Sequence, residues 1–145
     1  MTMIFLNLPT TDVVKGSAFF SALGWERNAQ FSDDTTASHV IDDNIVVMLL
    51  SAEKFDGFLK PGMTRIDGSA GVAGIYCLSR DSREGVDELV AKAAAAGGTV
   101  LEDPQDHGFM YGQSFADPDG HVFEVMWMDP SVIVDGGEMP QVATA

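Results

Sequence analysis

Apolar and polar positions along this chain fall into one arrangement that occurs twice. Met3 to Leu8 alternate as a strand would, and Pro9-Thr10-Thr11-Asp12 supply a turn and a helix N-cap. A helix is predicted from there to Leu23, its surface built from Val13, Val14, Ser17, Ala18, Phe20 and Ala22, with Gly24 as a left-handed stop. Three strands are expected next, Trp25 to Phe31, Ala37 to Ile41 and Ile45 to Leu50, divided by Ser32-Asp33-Asp34 and Asp42-Asp43-Asn44. The same order returns downstream. A strand spans Val72 to Leu78, Asp81 and Ser82 offer caps, and a helix runs through Ala96 to a stop at Gly97-Gly98. In that helix Val86, Leu89, Val90, Ala93 and Ala94 follow the spacing of one buried face. Thr99 to Leu101, Gly112 to Ala116 and His121 to Met128 complete the second set, with Asp117-Pro118-Asp119-Gly120 as a turn.

Two copies of one βαβββ unit each need a partner for the open face of their strands, which makes duplication the strongest organisational signal here. Aligning Asp12 with Asp81 gives an offset of 69, and aligning Met48 with Glu124 gives 76. The chain is therefore expected to be one α+β domain over residues 1–130. Its first module covers about 3–59 and its second about 72–129, joined by a Pro- and Gly-containing linker at 60–71. Residues 131–145 lack periodicity and are expected to form an arm or tail.

Composition narrows the partners. The chain has 145 residues, 46% of them apolar, and a net charge of −14, which repels phosphate backbones and anionic lipid surfaces. Nucleic acid is not an expected partner. The longest clean apolar run, Ile45 to Leu50, is far short of a membrane span, so no membrane segment is expected. The N-terminus lacks a signal-peptide pattern and Cys77 is the lone cysteine, so a reducing cytoplasm is the expected location.

The run Phe115-Ala116-Asp117-Pro118-Asp119-Gly120-His121-Val122-Phe123-Glu124-Val125, set in this repeat, resembles the vicinal oxygen chelate superfamily of glyoxalases, bleomycin-resistance proteins and extradiol dioxygenases. Pro104 to Gly112 is similar to a bacterial glyoxalase-like subgroup. The resemblance covers residues 3 to 129. It implies two modules forming a paired, curved mixed-sheet cleft with helices outside, a small-molecule substrate or ligand, and a homodimer. It also implies a divalent metal (Zn, Fe, Ni or Mn) held by four strand positions. Carried over, those positions fall on Phe5, Met48, Gly74 and Glu124, of which only Glu124 offers a donor, so the usual ligand set is mostly absent.

Period-2 alternation sends Phe5, Asn7, Met48, Leu50, Gly74, Tyr76, Glu124 and Met126 to the cleft, and Leu6, Leu49, Cys77 and Val125 to the helices. Glu124, set among apolar neighbours, reads as a metal ligand or raised-pKa base, or else as a structural or exposed strand residue. His107, in a Gly-bounded loop with Tyr111 and Gln113 near it, is its candidate partner in catalysis. His121, His39 and Cys77 read more simply as turn, strand and core residues. Phe5, Asn7, Met48, Tyr76, Tyr111, Gln113 and Met126 are the candidate pocket, although methionines and aromatics at strand spacing are also ordinary packing material. Two functions follow. One is an enzyme of lyase, isomerase or dioxygenase type with a degenerate metal site. The other is a protein that binds and sequesters a small molecule without changing it, with a preference for cationic or neutral ligands.

Overall fold

The computed structural model describes residues 1–133 and 137–138. Most of the expected tail, 131–145, lies outside the described residues. Strand β1 (Ile4–Thr10) leads to α1 (Val13–Ala22), then β2 (Glu26–Arg27), β3 (Thr36–Asp42) and β4 (Ile45–Ser51). A short helix α2 (Ala52–Asp56) precedes the second set: β5 (Ile75–Ser79), α3 (Arg83–Ala95), β6 (Thr99–Val100), β7 (Gln105–Asp106), β8 (Met110–Ala116) and β9 (Val122–Met128). Each half builds one mixed sheet, ordered β1-β4-β3-β2 and β5-β9-β8-β6, with β7 also pairing with β8. In each, the first strand runs parallel to the last because a helix carries the chain across between them. The two-module α+β architecture read from the sequence is the one observed.

Both helices start on the capping chemistry that their sequences offer. Asp12 accepts from the amide of Lys15, and Ser82 accepts from the amide of Gly85, so Ser82 and not Asp81 is the second N-cap. The true helix offset is therefore 70. With it, Gly16, Phe19, Phe20 and Leu23 match Val86, Leu89, Val90 and Ala93, and all eight are buried. One core joins the halves: the Phe123 ring lies 6.1 Å from Phe20, 5.6 Å from Trp25, 5.5 Å from Tyr76 and 5.4 Å from Phe115. Such aromatic packing supplies both buried area and edge-to-face attraction.

The corrected offset turns over one expectation. Tyr76 sits beside Phe123 and packs on the core, whereas Cys77 sits beside Glu124 and is exposed. Because side chains alternate with period 2, a cap misplaced by one residue exchanges the two faces of β5. On the other strands, Leu6, Leu49 and Val125 pack into the core or against it, while Phe5, Met48 and Glu124 lie on the opposite face.

The ends of the two halves are fastened at a seam. The Asp119 carboxylate accepts from the Thr10 hydroxyl at 2.6 Å and from the Thr11 amide and hydroxyl, each at 3.1 Å. His121 donates from Nε2 to the Pro9 carbonyl at 2.7 Å. Gly68 of the connecting segment is pressed so close that a Cβ there would lie 1.7 Å from the Asp119 carbonyl oxygen. Gly68 thus wedges the connecting segment against the second half, and α2, capped by Ser51, lies on β1 and β4.

Candidate functional site

Two of the molecule's concavities bring candidate residues together. The first, about 290 Å³, sits at the seam and is lined by Asn7, Phe55, Arg65, Ile66, Tyr76 and the glycine-rich run Gly71 to Gly74, among others. Beside it Phe5, Phe58 and Leu59 border a further hollow with Asn7 and Tyr76. Arg65 does not present a free charge there, because Asp56 takes its Nε at 2.9 Å and Asp67 pairs with its Nη1.

The second concavity, about 200 Å³, lies over β9. Its walls include Glu124, His107, Cys77, Glu102, Gln105 and the thioethers of Met110 and Met126. The central strand brings Glu124 between Cys77 on β5 and Ser114 on β8, its direct cross-strand neighbours. Ser114 in turn donates to Glu102 at 3.2 Å. Glu124 is exposed at this face, so the cost of burying its charge does not arise. Although Cys77 is exposed as a residue, partial desolvation of its thiol, and secondarily the Glu124 carboxylate, push that thiol above its ordinary value, which favours the less reactive neutral form.

His107 reaches this cavity from the hairpin between β7 and β8. Its amide closes the hairpin on the Met110 carbonyl at 2.8 Å, and Gly108 adopts φ +82°, which glycine tolerates without strain. Arg83, the first residue of α3, holds the hairpin from outside. It donates to Asp106 at 2.6 Å and to the Gly108 carbonyl at 2.8 Å, and lies 5.3 and 5.1 Å from the ring centres of Tyr111 and Trp127. The pairing with Arg83 and the Gly108 amide hold the Asp106 carboxyl below the usual carboxylate range.

The sequence-predicted residues therefore separate. Glu124, His107, Gln113 and Met126 line one cavity, while Phe5, Asn7 and Tyr76 border the hollows at the seam. Met48 is half-buried on the open face of β4, directly across from Asn7. Tyr111 and Gln113 are both tied to α3, Gln113 while also lining the cavity over β9. Tyr111 Oη and Gln113 Nε2 both donate to Asp87 of α3 at 2.5 Å, on the core side of β8 with Phe115. Reading missed Cys77, Glu102 and Gln105. Cys77 was lost to the misplaced cap, and the other two stand on segments too short to show a period.

With the faces known, the donor set for a metal at the superfamily's strand positions can be judged. Correcting Gly74 by one residue brings Ile75 to the position equivalent to Phe5. Phe5, Met48 and Ile75 supply no hard donor, and Glu124 alone does not make the usual three-ligand catalytic set. These residues do not fit such a metal. Among the described residues, one group could hold an ion: Asp117, Asp119 and His121 each bring one ligand atom within 4.8 Å of the others. It lies in the turn before β9, outside the Glu124 cavity.

A sequence model of the Glyoxalase/Bleomycin resistance protein/Dioxygenase superfamily matches residues 2–125, and the chain belongs to that superfamily. No curated protein matches the sequence. Among solved structures, the fold is similar to a glyoxalase/bleomycin resistance protein/dioxygenase family enzyme from Burkholderia phytofirmans. That similarity has 21% identity and a TM-score of 0.72, covering 88% of this chain and 99% of that one. It is similar to a hypothetical protein from S. aureus, with 26% identity and a TM-score of 0.66 over 88% and 94%. It also resembles a lactoylglutathione lyase from Agrobacterium tumefaciens, with 18% identity and a TM-score of 0.62 over 87% and 92%. No described helix is long and apolar enough to cross a membrane.

Proposed function

We propose that this protein binds and sequesters a small cationic or neutral molecule with apolar parts in the cavity over β9. The observation that carries this reading is the composition of that cavity: two carboxylates, Glu124 and Glu102, beside the adaptable thioethers of Met110 and Met126. The net charge of −14 adds long-range attraction for cations and repulsion of anions. Calorimetric titration with a panel of aromatic quaternary ammonium ions, matched against aromatic carboxylates, tests the proposal. Binding of at least one cation, weakened in Glu124→Gln, is expected. Equal response to both charge classes, or cation binding indifferent to Glu124→Gln, would reject it.

A catalytic reading is favoured by one specific observation, that Glu124 and His107 line the same cavity. There the carboxylate would take a proton from a small oxygenated substrate and the imidazole would return it, without a metal in any step. Turnover of a substrate by the wild type, lost in both Glu124→Gln and His107→Ala, would establish it over simple binding. Full activity of both variants would remove it.

The same reading includes a homodimer in the cytoplasm. Phe5, Val72 and Ile75 are 53%, 59% and 60% exposed, an apolar surface that a second copy would cover. Light scattering is expected to give a mass near twice 15.5 kDa, and a monomer at micromolar concentration would sink the dimer.

A further inference from the structure

The seam between the halves holds a group that the proposed binding cavity does not use. Asp117 is 4% exposed, and its two oxygens are treated differently. Oδ1 accepts from the amides of Asp119 and His121 at 3.0 and 2.8 Å, whereas Oδ2 is buried with no hydrogen-bond partner. A buried carboxylate oxygen left unsatisfied is costly, and native structures ordinarily supply it with a donor or a cation.

His121 has one ring nitrogen committed and one free. Its Nε2 lies 2.7 Å from the Pro9 carbonyl, which can only accept, so Nε2 carries the proton. In the neutral ring Nδ1 then holds the lone pair. A histidine whose outer nitrogen is tied to a carbonyl is the common supporting arrangement at metal sites. Asp119 is held in turn by Thr10 and Thr11.

We propose that Asp117, Asp119 and His121 bind a divalent transition cation, Zn²⁺ or Mn²⁺, that fastens the second half to the first. Two carboxylates and one imidazole suit these ions, whereas Mg²⁺ and Ca²⁺ favour sites made of oxygen alone. The ion satisfies Oδ2 of Asp117. Because Asp119 and His121 are the residues that grip β1, binding also tightens the seam. This site is independent of the cavity over β9, and its fate does not depend on what that cavity binds.

The test uses the full chain, stripped of metal with chelator and titrated with Zn²⁺ by calorimetry against a background of excess Mg²⁺, which occupies unspecific surface carboxylates. One equivalent is expected to bind and to raise the thermal midpoint. Asp117→Asn is expected to weaken binding at least about tenfold, and Glu124→Gln to change it less than about twofold. His121→Gln, which keeps a donor able to reach Pro9, guards against a variant that fails to fold, and is expected to weaken binding as well. In amide NMR spectra, Mn²⁺ should broaden Asp117, Asp119, Gly120, His121 and Thr10 first. No binding above the Mg²⁺ background would overturn the proposal. So would unchanged affinity in both seam variants, or broadening centred on Glu124 and His107.

Discussion

The two halves share a strand order and differ in what they place at equivalent positions. In the first, the buried pair on the last two long strands is His39 beside Val47; in the second it is Phe115 beside Phe123. His39 is fully buried and satisfied on both nitrogens, with Nδ1 donating to the Trp25 carbonyl at 2.9 Å and Nε2 accepting from Ser17 at 2.8 Å. The residue matching Ser17 in α3 is Asp87, which instead serves Tyr111 and Gln113. On the open faces the difference reverses: Met48 stands where the second half has Glu124. A duplicated scaffold thus keeps its polar network in the core of one half and its exposed chemistry on the face of the other. The topology is indifferent to which, even though Trp25 Nε1 and Asp117 Oδ2 are buried without a hydrogen-bond partner.

The comparison can be broken most severely where the halves meet. Phe123→Ala removes a ring that touches both halves and is expected to cost about 3–5 kcal/mol, read as a lower urea midpoint. A loss below about 1 kcal/mol would mean that the halves do not share one core. Gly68→Ala should cost about 1–3 kcal/mol, because the added methyl meets backbone rather than a flexible side chain. Hydrogen exchange is expected to speed up at Thr10, Thr11 and Asp119 in that variant, and unaltered protection there would show that the segment is not wedged at the seam.

His39 provides a smaller, pH-dependent contrast. Burial holds its pKa below the ordinary 6.5, so the folded state resists a proton that the unfolded chain accepts. Above pH 6.5 both states are neutral and the residue adds no pH dependence. As pH falls below 6.5 the unfolded state binds more protons, and stability declines until the depressed folded pKa is reached. Urea denaturation from pH 8 to pH 5 should show a steeper acid decline in the wild type than in His39→Gln. Parallel profiles would refute that assignment. Least of all, Tyr111→Phe removes one exposed bond to Asp87 and should change stability by less than about 0.5 kcal/mol, since Gln113 retains its own.

Much of this was legible before any coordinates. The two strand-helix-strand sets, Asp12 as a cap, the Asp117-to-Gly120 turn and the open-face positions of Phe5, Met48 and Glu124 all follow from alternation and turn chemistry. Reading faltered where one residue decides. Asp81 and Ser82 are both good caps, and preferring the wrong one exchanged Tyr76 with Cys77. Helix α2 had a usable signal in Ser51, whose hydroxyl accepts from the Lys54 amide.

What the sequence by itself determined is local: the types of the main elements, the alternation within each strand run, and the duplication. What only the tertiary structure decided is which distant groups meet. His107 joined Glu124 because Arg83, on another element, holds the hairpin, and Tyr111 and Gln113 turned to α3 because Asp87 waits there. Local periodicity records whether a side chain faces the core. The choice of polar partner depends on the angle and register at which separate elements pack, and no short window of sequence contains that information.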